Sequence, residues 1–145
     1  RELAILLGDA GQPKLSVEHW REVVRLAPDQ DDARIQLAIS LASQGHFTEA
    51  ETHVAEAIRL APETANHYNN FGLIIARQGR FSESLKYYQK CLLLDPTNVS
   101  ANYNAGLALE QLGDVSTAIQ HFRTALQLNP GHQGSLDRLK ALMER

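Results

Sequence analysis

Residues 66–96, NHYNNFGLIIARQGRFSESLKYYQKCLLLDP, decide how this chain folds. The stretch carries two runs of apolar residues, divided at Gly79 and closed by Pro96. Working outward from it, the same punctuation returns at a fixed step. Pro28, Pro62, Pro96 and Pro130 stand 34 residues apart, as do Gly11, Gly45, Gly79 and Gly113. Leu26, Leu60, Leu94 and Leu128 keep the same register. A period held by two breaker residues and an apolar anchor marks stacked structural repeats.

Between the breakers the apolar spacing is helical. Ala50, Val54, Ala57 and Ile58 follow an i, i+4, i+7, i+8 stripe, and Ala33 to Ala42 cover more than half of a helix circumference. Each unit therefore reads as two helices, with no period-two segment to build a sheet. The Gly column ends the first helix, and the Pro column follows the second, which proline cannot extend. Thr48, Ser82 and Ser116 are expected at the helix starts, where a hydroxyl can satisfy a free amide. Small residues recur at Ala4, Ala38, Gly72 and Gly106, and again at Ser16, Ala50, Ser84 and Ala118. Large ones recur beside them at Leu7, Leu41, Ile75 and Leu109, then at Trp20, Val54, Tyr88 and Phe122. Gaps and knobs at fixed places let one unit stack on the next.

These columns resemble the tetratricopeptide repeat (TPR) family. The third unit fits best, through Tyr68, Phe71, Gly72, Ile75, Gly79, Ser84, Tyr88, Cys91 and Pro96. The second departs at Arg34, and the first carries Pro13 where the others have Phe47, Phe81 and Val115. The resemblance covers residues 1–132 and implies an all-α, right-handed superhelical stack of helix–turn–helix repeats, an α-solenoid. The expected divisions are a truncated first repeat (1–30), three full repeats (31–64, 65–98 and 99–132) and a cap helix (133–145). In the cap, Leu136, Leu139 and Met143 continue the apolar register, and Lys140 replaces the small residue of its column to face water.

Composition narrows the function. At 43% hydrophobic and 21% charged residues the chain is an ordinary globular sequence rather than a disordered one. A net charge of −3 without basic runs lacks the electrostatic footprint of a nucleic-acid binder. No apolar stretch approaches the ~20 residues that span a bilayer. One cysteine excludes an internal disulfide framework and is compatible with a reducing compartment such as the cytoplasm. A start at Arg1 reads as a piece of something longer.

No catalytic, cofactor or metal motif is present. Cys91 shares a column with Val23, Ala57 and Ala125 and reads as a packing thiol. His19, His53 and His121 share a column with Tyr87 that the resemblance implies faces outward, and they read as surface residues; His46, His67 and His132 lie near turns without ligand spacing. The resemblance implies a concave groove lined by the first helix of each unit, holding an extended peptide or a partner helix. Its matching residues are Ile35, Gln36, Ile39 and Ser43, then Asn66, Asn69, Asn70, Leu73 and Arg77. The fourth unit adds Ser100, Tyr103, Asn104, Leu107 and Gln111, and the cap adds Asp137, Arg138 and Ala141. Ile5, Ile39, Leu73 and Leu107 make an apolar strip, with an amide ladder of Gln36, Asn70 and Asn104 beside it. An amide offers a donor and an acceptor together, as a peptide backbone does. Chaperone-tail binding is disfavoured, since Ile35, Ile39 and Asn69 stand where positive charge is wanted. The expected function is non-catalytic protein–protein interaction, without cofactor. The alternative is a substrate-presenting or regulatory arm of a larger enzyme such as a glycosyltransferase. Self-association is open through the incomplete first repeat, where Leu3, Leu6 and Leu7 lack a preceding helix.

Overall fold

The computed structural model describes residues 13–144. Among them are eight α-helices and no strand: α1 (Pro13–Leu26), α2 (Asp31–Ser43), α3 (Phe47–Leu60), α4 (Ala65–Ala76), α5 (Phe81–Leu94), α6 (Val99–Gln111), α7 (Val115–Leu128) and α8 (Gln133–Met143). The expectations placed on Arg1, Leu3, Ala4, Ile5, Leu6, Leu7 and Gly11 lie outside the described residues.

Each of α2, α4 and α6 packs on the second helix of its own unit and on the second helix of the unit before. α2 also touches α4, and α4 touches α6, so the first helices stand side by side along one face. The chain turns between the helices of a unit at Gly45, Gly79 and Gly113, which take φ of 82°, 76° and 86°. Left-handed dihedrals are costly for any residue with a Cβ. At Gly45 the His46 amide bonds the Leu41 carbonyl (3.0 Å) and the Gly45 amide the Ala42 carbonyl (3.0 Å). At Gly113 the amides of Asp114 and Gly113 do the same to Leu109 and Glu110. This pair of bonds satisfies carbonyls that a helix end otherwise leaves open.

The second helices start one residue earlier than Thr48, Ser82 and Ser116 imply. They begin at Phe47, Phe81 and Val115, with His46, Arg80 and Asp114 at the cap position. The glycine turn is so short that the hydroxyl residues fall inside the first helical turn. Asp114 is the side chain that caps, accepting from the Thr117 amide at 3.1 Å.

The core follows the small and large columns. Trp20, Val54, Tyr88 and Phe122 are buried, as are Ala38, Gly72 and Gly106. A Cβ on Gly72 would stand 2.5 Å from the Tyr88 ring, and one on Gly106 2.6 Å from the Phe122 ring. Glycine thus stands where the facing residue is aromatic, and alanine where it is Val54. Cys91 is fully buried, and burial pushes its thiol up to about 11. In α8 the expected pattern shifts by one face. Leu139 packs on the core, but Leu136 and Met143 are exposed, and Ser135 and Leu142 are the buried positions. Lys140 does face solvent.

Candidate functional site

The face built by α2, α4, α6 and α8 carries the residues read as a groove, and it divides them into three groups. The first is open. Ile39 and Leu73 are 38% and 40% exposed. Between α4 and α6 the surface sinks into a hollow of about 290 Å³. Leu73, Ala76, Phe81 and Leu107 give it apolar walls, and Arg77, Asn104 and Gln111 sit around it. Five of the expected groove residues therefore meet in one place. Phe81 and Tyr88 reach it from α5, a contribution that a reading confined to first helices missed.

The second group is turned into the stack. Ile35 is 4% exposed and belongs to the core cluster that holds Phe71 and Ile74 of α4. Asn69 is 9% exposed, and its Oδ1 accepts from Asn104 Nδ2 at 3.1 Å. The Tyr103 ring lies 5.8 Å from Phe122 and 4.9 Å from His132, and a Cβ on Gly134 would meet it at 2.8 Å. These three share one column, and the column faces the first helix of the next unit. A large or amide side chain there is taken up by the neighbour rather than by the groove. Arg138 of the cap is likewise engaged, bonding the Glu110 carboxylate through Nε at 3.0 Å.

The third group is the amides. Asn70 is half-buried and makes no side-chain hydrogen bond among the described residues. Gln36 and Asn104 are half-buried too, but the Asn104 donor is already given to Asn69. Asn66 Oδ1 accepts from Asn98 Nδ2 at 2.7 Å, while Asn98 Oδ1 caps α6 by accepting from the Ala101 amide at 2.9 Å. Two amide pairs thus stitch α4 to α6. Asn98 lies 32 residues beyond Asn66, two short of the repeat period, so a column reading pairs Asn66 with Ser100 and misses it.

The histidines read as surface or turn residues have closer partners than that. His67 is 3% exposed, and its Nε2 lies 2.6 Å from Asp31 Oδ2 on α2. That contact holds the Asp31 carboxyl below the usual range. With Asp32, the pair brings three ligand-type atoms within 4.8 Å of one another. His121 bonds Asn102 Oδ1 at 3.1 Å, and His53 approaches Arg34 at 3.5 Å. Burial pushes both rings below the ordinary histidine value, with the Arg34 charge adding to the effect at His53. His132 caps α8, accepting from the Ser135 amide at 3.2 Å.

A family model described as tetratricopeptide repeat matches residues 71–144, and a second of the same description matches 1–65 and 35–98. The chain belongs to the tetratricopeptide repeat family. No curated protein matches it. Among solved structures, the Pseudomonas aeruginosa pilF protein superposes with a TM-score of 0.90 at 20% identity, over 99% of this chain and 65% of that one. MamA from Desulfovibrio magneticus RS-1 gives 0.80 at 19% identity, over 98% and 80%. The Arabidopsis OM64 TPR domain gives 0.74 at 24%, over 79% and 95%. At these identities the likeness is one of fold: an all-α, right-handed TPR solenoid. TPR repeats make the chain a protein-interaction module, of a kind that is in general non-catalytic. No helix among the described residues is long and apolar enough to cross a membrane.

Proposed function

We propose that this TPR stack holds an extended segment of a protein partner in its concave groove and performs no chemistry of its own. The observation that carries the reading is the hollow between α4 and α6. A leucine at Leu73 that packing does not cover lines a cavity of about 290 Å³, with amides and a guanidinium at its edge. Concave, mostly apolar sites with a few placed polar groups are where ligands bind. An extended chain alternates side chains between two faces, so one apolar side chain can enter the hollow while backbone groups meet Asn70 and Asn104. Nucleic acid is a poor occupant, because the lining offers one cation, Arg77.

The test is an affinity capture from lysate, read by mass spectrometry, with the parent chain and with Leu73→Asp. A charge in the hollow opposes an apolar anchor. Partners of the groove should be recovered by the parent and lost by Leu73→Asp, while circular dichroism and melting temperature stay near the parent's. Recovery of every partner by both proteins would place the contacts elsewhere, on the outer face around His53, Tyr87 and His121.

A further inference from the structure

Most arginines of the stack are paired; among the described residues Arg77 and Arg123 are not, and of these two it is Arg77 that lines the hollow. Arg21 pairs with Glu49, Arg25 with Glu22, Arg59 with Glu56, Arg80 with Glu51 and Glu83, and Arg138 with Glu110. Arg34 spends its Nε on the Pro28 carbonyl at 3.0 Å. Arg77 makes no ion pair and no side-chain hydrogen bond among the described residues, yet it lines the hollow. No carboxylate shares that lining. Glu110, next in sequence to Gln111 of the lining, is occupied by Arg138. A full positive charge therefore stands unanswered beside an apolar recess, in a chain whose net charge is −3.

Resting on the groove reading above, we propose that the hollow takes one large apolar side chain of an acidic peptide segment. An aspartate or glutamate side chain within two residues of that anchor pairs with Arg77. Size sets the first half. A cavity of ~150 Å³ holds a benzene ring, so about 290 Å³, open to the groove, admits a leucine, methionine or phenylalanine side chain. Spacing sets the second half. Leu73 and Arg77 are one helical turn apart, about 6 Å along the axis, and an extended chain covers that in two residues. The acid is an internal side chain and not a chain end. Ile39, Asn70 and Asn104 occupy the neighbouring positions in place of further cations, so a terminal carboxylate beside an acidic side chain would leave one charge unpaired. Asn70 and the free acceptor of Asn104 suit a backbone that runs on past the anchor.

The experiment is selection of randomised displayed peptides on the whole chain, in two formats: peptides flanked on both sides, and peptides ending in a free carboxyl group. Both formats should enrich a large apolar residue with Asp or Glu within two positions. For a synthetic peptide from that pool, Arg77→Gln and replacement of the acidic residue by its amide should each weaken binding about three- to tenfold. The two changes together should weaken it no further than either alone. Arg77→Glu should move the selection toward Lys and Arg. The Arg77 side chain makes no ion pair or hydrogen bond among the described residues, so these variants should melt like the parent. Enrichment confined to the free-carboxyl format overturns the proposal. So do an absence of any enrichment, and apolar peptides indifferent to Arg77→Gln. If those indifferent peptides are still lost with Leu73→Asp, the groove reading survives without the acidic partner. Peptides that keep binding Leu73→Asp sink the groove reading itself.

Discussion

Gly72 and Leu73 are neighbours in sequence and opposites in packing, and Gly106 and the half-buried Leu107 repeat the contrast more weakly one unit on. Gly72 is buried so closely under Tyr88 that a single Cβ would overlap the ring at 2.5 Å. Leu73, one residue later, is 40% exposed above a hollow. A helix presents successive residues about 100° apart, so one turn of α4 serves both the sealed side of the stack and the open side. Stability and binding are thus separable here by substitutions a single position apart.

The sealed side has to end somewhere, and it ends on α8. Deleting Gln133–Arg145 removes Leu142 and Leu139 from the core and uncovers Tyr103, which packs against Gly134 and His132. Buried leucines contribute ~1.5–3 kcal/mol each, so a loss of about 3–6 kcal/mol is expected, a large part of the ~5–15 kcal/mol of a whole domain. Thermal melting and light scattering should show a lower midpoint and association. A monomer with the parent's melting temperature would mean that α7 is complete without a neighbour.

Gly72→Val comes next in size. Overpacking costs ~1–3 kcal/mol, which in a domain of this length lowers the melting temperature by about 3–10 °C. Leu73→Asp beside it should stay within ~1–2 °C of the parent, since exposed positions tolerate change, while binding is lost. Equal melting temperatures for the two variants would erase the contrast between the faces.

The sealed side was the legible one. The 34-residue step located the turns at Gly45, Gly79 and Gly113 and the prolines at Pro28, Pro62, Pro96 and Pro130, and the Ala38, Gly72 and Gly106 column matched the bulk of Val54, Tyr88 and Phe122 because close packing demands complementary volume. The open side was legible only in part. Leu73, Arg77, Asn104, Leu107 and Gln111 do meet at the hollow. Ile35, Asn69 and Tyr103 do not line it as open residues, because a column position gives an angle around one helix and not what the next helix covers. His67 shows the limit most clearly. Its column holds Ala33, Ala101 and Ser135, all buried, and its Asp31 partner lies 36 residues away, a pairing that no local spacing announces.

Partly buried histidines of the outer face, His53 on α3 and His121 on α7, give the stack a pH dependence. Burial lowers the His53 and His121 values in the folded chain. As pH falls through the ordinary value of 6.5, the unfolded chain takes up protons first, and stability present above that value is lost. Asp31 acts lower: its depressed value stabilises the fold above about its ordinary 3.8, and that contribution goes as pH drops through the folded value. The melting temperature should therefore fall between pH 7.5 and 5, and fall again at more acid pH. His121→Gln should flatten the upper step. A level profile from pH 7.5 to 5 would show that neither ring gives up solvation on folding.

The smallest effects separate two asparagines of the same column. Asn70 and Asn104 occupy equivalent places in successive repeats and both are half-buried. Among the described residues Asn70 makes no side-chain hydrogen bond, whereas Asn104 gives its donor to the nearly buried Asn69. A neutral hydrogen bond contributes ~0.5–1.5 kcal/mol net. Asn70→Ala should therefore leave the melting temperature unchanged and weaken a groove-bound peptide about two- to tenfold. Asn104→Ala should lower the melting temperature by ~1–4 °C, because it also strips Asn69 of its partner. The distinction rests on one 3.1 Å contact, so removing that contact from the other end decides it. Asn69→Ala should reproduce the melting loss of Asn104→Ala without its binding loss, and the two together should melt no lower than either alone. If Asn69→Ala weakens the peptide as much as Asn104→Ala does, the pair acts in recognition as a unit, and the boundary between sealed and open sides runs one residue deeper than Leu73.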